Sequence, residues 1–262
     1  LNDAGDYKAA HKALDGTLKV LEAKYGDGSS ALVPLVIQLA RAASEPAESF
    51  ALLQRAASLS RGYEDNLIEA QKNVDIMVIL LSRGGGALVG SFVERAYEIY
   101  SERLQPNDAR LGLMAYHKAR LAMARNQPEV NLTYLQQALT AFLTPDGEPM
   151  GDFERSVRMQ MVAAYEALKQ PVRATEQLLL LGASQTWSAS PEPVYRPEAE
   201  LPPGATGRGA VTVAFGIDEQ GFVVQPTISK STAPSFDAAA LKMLGQARFV
   251  PRFVDVKPVA TT

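Results

Sequence analysis

The 262-residue sequence has no cysteine, which excludes disulfide staples, thiol nucleophiles and cysteine-based zinc sites and leaves the redox compartment open. Histidine is almost as scarce. His11 and His117 stand far apart with no metal-ligand spacing around either, so both read as solvated or core-lining side chains. No excess of one charge is present: 26 Lys and Arg face 29 Asp and Glu, a net charge of −3. That balance supplies no broad cationic field for phosphate backbones, and nucleic acid is not expected as a partner. No apolar run reaches the roughly 18 to 20 residues that cross a bilayer; the best, 31–43 and 74–81, are short and interrupted. A soluble chain is expected. It begins at Leu1 rather than Met, which leaves open a cleaved signal peptide or an anchoring segment upstream.

Motifs for chemistry are also lacking. The run Gly84-Gly85-Gly86 has no Lys-Ser/Thr after it and reads as a helix stop rather than a phosphate cradle. There is no Gly-x-Ser-x-Gly elbow, and the carboxylates Asp146, Glu148, Asp152 and Glu154 cluster where solvation or helix-start preference accounts for them. No catalytic residue, metal site or cofactor is nominated, and a non-enzyme is expected.

What is present is a globular composition, 47% hydrophobic and 21% charged, divided into two unlike parts. The first 182 residues hold 7 prolines and the last 80 hold 9, and apolar periodicity changes from helical to alternating across that border. The stripe Phe153, Val157, Met161, Ala164, Tyr165 and Leu168 has helical spacing, and similar stripes cover most of 1–182. Breakers at Gly26 to Gly28, Gly62, Gly84 to Gly86, Pro106, Pro128 and Pro145 to Gly151 cut this part into about nine helices. Paired, they give units starting near Gly28, Glu64, Asn107 and Pro149, at spacings of 36, 43 and 42 residues. Gly5-Asp6-Tyr7-Lys8-Ala9-Ala10 and Ala138-Leu139-Thr140-Ala141-Phe142 resemble tetratricopeptide helices. An irregular helical bundle using the same alanines is the alternative.

Residues 183–209 include Pro191, Pro193, Pro197, Pro202, Pro203 and Gly204 and read as an extended, semi-stiff linker. Its Trp187, the only tryptophan, reads as an anchor to one of the flanking domains or to a partner. From Val211, alternation through Val213, Phe215 and Ile217 predicts a half-buried strand. Asp218-Glu219-Gln220-Gly221 predicts a turn, and Phe222, Val223, Val224 and Ile228 a second strand closing a hairpin. Ser235 is the expected N-cap of a helix whose face is Phe236, Ala240, Leu241 and Leu244. A short strand, 248–254, interrupted by Pro251, completes a small α+β domain over 210–262. Arg248 and Arg252 are expected to face the same side of it, with salt bridging as the plain role and contact with an acidic peptide as the sharper one.

Four pieces in this order carry a resemblance: Tyr195-Arg196-Pro197-Glu198-Ala199, the hairpin from Gly209 to Gly221, Ser235-Phe236-Asp237-Ala238-Ala239-Ala240-Leu241, and Ala247-Arg248-Phe249-Val250-Pro251. Together they resemble the carboxy-terminal domain of TonB proteins, the likeness beginning near 191. The resemblance implies a periplasmic module that grips an extended segment of an outer-membrane receptor by adding it to a sheet edge. It also implies partner contact through Tyr195, Pro197, Arg248, Phe249, Arg252 and Phe253. Three departures stand beside it. No amino-terminal membrane helix is present to couple to an inner-membrane proton-channel complex. The linker reaches only about 80 Å even as a polyproline helix. Family members usually run on past Lys257-Pro258-Val259-Ala260-Thr261 into another strand. The expected architecture is therefore all-α helical-hairpin repeats followed by a small α+β TonB-like domain. The expected role is non-enzymatic: repeats as a scaffold for envelope proteins, with the carboxy-terminal domain pairing with an extended segment. The alternative is an energy transducer whose membrane anchor lies outside this chain.

Overall fold

The computed structural model describes residues 7–145, 148–184, 193–200 and 208–261. Gly5, Asp6, Asp146, Trp187, Pro191, Pro202, Pro203 and Gly204, singled out above, lie outside the described residues. Up to Ala183 the described residues form nine α-helices: α1 (Tyr7–Tyr25), α2 (Val33–Ala42), α3 (Pro46–Ser60), α4 (Asn66–Ser82), α5 (Gly90–Arg103), α6 (Ala109–Ala124), α7 (Pro128–Phe142), α8 (Asp152–Ala167) and α9 (Pro171–Ala183). The breakers act as expected, with one refinement. Pro128 opens α7 rather than only closing α6, as Pro46 opens α3 and Pro171 opens α9; a proline in the first turn gives up an N–H that has no helical partner anyway. The Asp65 carboxylate accepts the Leu67 N–H and caps α4. The triple glycine ends α4, with Gly84 at φ +73°, and a 3-10 turn over Gly86–Leu88 leads into α5.

Two compact units result, Leu1–Lys118 and Ala119–Thr262, the division falling inside α6. In the first, α2 packs on α3 and α4 on α5 as hairpins. Val33, Val36 and Ile37 of α2, Leu53 and Ala56 of α3, Ile76 and Met77 of α4, and Phe92 and Val93 of α5 are buried. Each large side chain among them contributes about 1.5–3 kcal/mol. Polar groups pin the hairpins. Arg83 donates to the carbonyls of Ala40 (3.2 Å) and Arg41 (2.5 Å) and to Ser49 Oγ (2.7 Å), satisfying the carbonyl end of α2. Buried Glu69 takes both prongs of Arg95, at 2.8 and 3.0 Å. Helices α2, α4 and α8 begin at residues 33, 66 and 152, and each packs on the helix that follows it, the hairpin pairing that the sequence predicts.

Among its described residues the second unit holds the end of α6, helices α7 to α9, six strands and one further helix. The strands are β1 (Pro193–Tyr195), β2 (Val211–Ile217), β3 (Val223–Ser231), β4 (Arg248–Phe249), β5 (Arg252–Val254) and β6 (Lys257–Val259), and α10 (Asp237–Gly245) follows β3. Strands β1 and β4, β2 and β3, and β5 and β6 pair antiparallel; single bridges add Phe222 to Arg248 and Ile217 to Thr261. Asn131 on α7 donates to the Ala119 carbonyl at 2.8 Å, and α8 packs on α9 around Val157, Met161, Ala164 and Tyr165. Ile217, Ala247 and Phe249 form the strand core, with Phe215, Val223 and Leu244 packed against it.

One local expectation is overturned. Ser235 does not cap α10: Pro234 starts a 3-10 turn through Phe236, and the helix begins at Asp237, whose carboxylate instead accepts the Ser231 hydroxyl at 2.6 Å. A proline pre-sets φ and favours an early tight turn, which displaces the helix start by one residue.

The β5–β6 hairpin turns through Asp255 and Val256, both at positive φ (48° and 64°), between the paired Val254 and Lys257. Both residues thus take the left-handed conformation that glycine and asparagine favour, and a β-branched side chain is poorly suited to it. Val256 is 87% exposed, so no packing compensates. Val256→Gly is expected to stabilise the protein by about 1 kcal/mol, read as a higher urea midpoint with an unchanged slope.

Candidate partner-binding site

The carboxylates near the α7–α8 connection are held by local structure. Asp152 and Glu154 do occupy the first turn of α8, as helix-start preference predicts. Glu154 goes further inward: it is buried, accepts the Thr144 backbone N–H at 2.7 Å and Arg158 Nε at 2.7 Å, and Arg158 in turn donates to Gln177 on α9. Burial alone would raise the Glu154 carboxyl, but the Thr144 N–H and the Arg158 guanidinium outweigh it and hold the group below its usual 4.5. A carboxylate depressed in the folded state contributes stability above its unfolded pKa and loses it as pH falls through the lower folded value. Urea midpoints between about pH 6 and about pH 3 are therefore expected to fall less steeply in Glu154→Gln than in the wild type, although the variant is less stable at neutral pH.

His11 stands 3.2 Å from Glu48, and His117 is half-buried with its ring edge-on to Tyr116. Among the described residues, no group of three or more His, Asp or Glu is placed to hold a metal ion, and no helix is long and apolar enough to cross a membrane.

The six sequence-nominated residues divide by environment. Arg248 is not on a surface. Its side chain is 1% exposed, on β4, where Nη1 pairs with Glu166 of α8, and Nη2 donates to Thr175 Oγ1 of α9 at 2.5 Å and to the Gln220 carbonyl at 2.9 Å. The guanidinium lies 3.7 Å from the Phe222 ring centroid. Burial pulls the guanidinium below its usual range, and the facing Glu166 carboxylate opposes that pull. Arg252, by contrast, is exposed on β5. The expectation that the two arginines share a face fails, because Pro251 ends the first strand and the chain resumes as a second one. Salt bridging, the plain role, is what Arg248 performs.

Phe249 is buried, its ring 5.2 Å from that of Phe215. Tyr195 lies half-buried on β1 opposite Arg248, its hydroxyl pKa raised by burial and then by the Glu166 charge. Pro197 and Phe253 are half-buried. The structure thus brings Tyr195 and Arg248 together around Glu166 and places Arg252 apart from them. Glu166, Thr175 and Phe222 were not nominated from the sequence. One signal was available: an arginine on a strand that reads as core demands a counter-charge.

Residues 203–262 match the sequence model of the family described as Gram-negative bacterial TonB protein C-terminal. No curated protein matches the sequence. Among solved structures, BtubC (BKLC) from P. vanneervenii is similar at TM-score 0.50 and 17% identity, over 68% of this chain and 72% of that one. The putative kinesin light chain with nearly identical TPR-like repeats from Podosopora anserina is similar at TM-score 0.47 and 16% identity, over 59% of this chain and 74% of that one. The likeness to BtubC is one of fold. The chain thus carries a TonB carboxy-terminal domain, matched over 203–262, behind a run of paired helices.

Proposed function

We propose that this is a non-enzymatic protein of the periplasm. In this reading the helical repeats are a protein-binding scaffold, and the carboxy-terminal domain takes an extended segment of an envelope protein, a TonB-dependent outer-membrane receptor foremost, by sheet-edge addition. The observation that carries the reading is an edge addition within the chain itself. Pro193–Tyr195, an extended piece of a proline-rich segment, lies antiparallel on β4 with Pro193 opposite Phe249 and Tyr195 opposite Arg248. A domain built from two-stranded pieces leaves further edges: among the described residues, β2 is bridged on its outer side only at Ile217, by Thr261. Exposed Arg252 and the half-buried Tyr195, Pro197 and Phe253 are the groups we assign to partner contact; Arg248 and Phe249 shape the strand from inside.

Titrating the full-length chain with a synthetic peptide copying the periplasmic-side segment of such a receptor tests the reading. Amide shifts confined to the carboxy-terminal strands, leaving α2 to α5 unmoved, are the expected result. Absence of any shift at about millimolar peptide, where even a weak edge addition registers, would sink it.

A further inference from the structure

Three residues of α9, Thr175, Leu178 and Gly182, stand three and four positions apart and so fall on one helical face. All three meet the carboxy-terminal strands. Thr175 Oγ1 accepts from Arg248. A Cβ built on Gly221, in the β2–β3 turn, would lie 3.1 Å from Leu178 Cδ1. One built on Gly182 would lie 2.6 Å from Phe253 Cε2 and 3.0 Å from the Pro251 carbonyl oxygen. Gly182 is not at positive φ, so it is not serving as a left-handed helix cap; the close approach of β5 is what requires a bare backbone there. Helix α8 adds Glu166, the counter-charge of the buried Arg248, and also packs against β1.

An ordinary tethered module would show its own closed core and a polar surface toward its tether. Here the most buried charged side chain of the carboxy-terminal strands finds its counter-ion on a helix 82 residues away in sequence. Removing the hairpin would leave that guanidinium with neither carboxylate nor hydroxyl, and would uncover the Phe253 ring that Gly182 faces.

We propose that the α8–α9 hairpin is the resident partner of the carboxy-terminal domain, docked through Arg248 and the Thr175–Leu178–Gly182 stripe. Hairpin and strands then open as one cooperative unit, and the Arg248-bearing edge is closed to outside partners while the contact holds. The last clause rests on the edge-addition reading; the docking does not, and its test uses no partner.

Hydrogen exchange of the full-length chain in rising, sub-denaturing urea reads the docking directly. In the wild type, amides of α8 and α9 and amides of β2, β3 and β4 are expected to merge onto one opening reaction with a common urea dependence. Gly182→Leu is the decisive variant, because leucine favours the helix yet cannot fit against Phe253. Exchange at 194–195 and 248–249 should rise about tenfold or more while α8 and α9 core amides change less than about twofold. Glu166→Gln, which keeps the side-chain shape, should separate the two sets in the same sense. Helices and strands that open with different urea dependence in the wild type would overturn the proposal. So would unchanged exchange at 248–249 in both variants. Failure of the receptor-peptide titration with a common opening intact would count only against the edge-addition reading.

Discussion

Glu166→Ala is expected to cost the second compact unit about 3–5 kcal/mol, the effect of breaking a buried ion pair from one side. The argument rests on what remains. Arg248 stays 1% exposed, and among the described residues its Nε already has no hydrogen-bond partner and the acceptors left are Thr175 Oγ1 and the Gln220 carbonyl. A guanidinium is ionised across the whole practical pH range, so even with burial lowering its pKa it cannot escape the penalty by losing its proton. Raising salt should change the effect little, because a buried pair is screened far less than a surface one. The contrasting variant is Arg248→Met, which removes the charge along with its need for a partner. Apolar replacement of a buried pair is often neutral, so Glu166→Ala combined with Arg248→Met should recover most of the loss. Urea denaturation of the four proteins in the cycle measures this. A single Glu166→Ala variant within about 1 kcal/mol of the wild type would mean that the pair behaves like an exposed one.

That pair also marks where the sequence stopped being readable. Helix spacing is a local property: apolar residues three and four apart, with Pro46, Pro128 and Pro171 and the glycines as punctuation, define nine helices and their pairing without any knowledge of contacts. The β2–β3 hairpin was equally legible, because Asp218 and Gly221 act within their own turn: the Asp218 carboxylate accepts the N–H groups of Gln220 and Phe222. Arg248 is different. Its position on a short strand was clear, but which way it points depends on Pro251 breaking the strand and on Glu166 waiting across a separation of 82 residues. Alternation predicts a face only while the strand continues. Gly182 carried no signal in the sequence for a related reason: near a helix end a glycine is ordinary, and only the Phe253 ring against it gives the absence of a side chain a purpose. Ser235 shows the opposite fault, a strong local preference overruled by the neighbouring Pro234.

Gly221→Ala is expected to destabilise the protein by about 3 kcal/mol or more, from two causes that can be separated within this molecule. The first is conformational. Gly221 holds φ +86°, and a left-handed backbone costs an L-residue about 1–2 kcal/mol. The second is space: the new Cβ would lie 2.3 Å from the Phe249 carbonyl oxygen, a backbone atom with no rotamer to change. Phe249 cannot easily retreat. Its N–H donates to the Gly221 carbonyl at 3.0 Å, its ring is buried against Phe215, and its neighbour Arg248 is fixed by Glu166. Forcing such a shift in a packed region adds about 1–3 kcal/mol. Gly26 supplies the internal control, since it holds φ +84° with nothing within 4 Å of its would-be Cβ. Gly26→Ala should therefore show the conformational cost alone. Asparagine tolerates the left-handed region, so Gly26→Asn should be nearly harmless, while Gly221→Asn should remain as damaging as Gly221→Ala. Equal losses for the two alanine variants in urea denaturation would show that the Phe249 backbone yields at no cost, and that the turn is not clamped against β4.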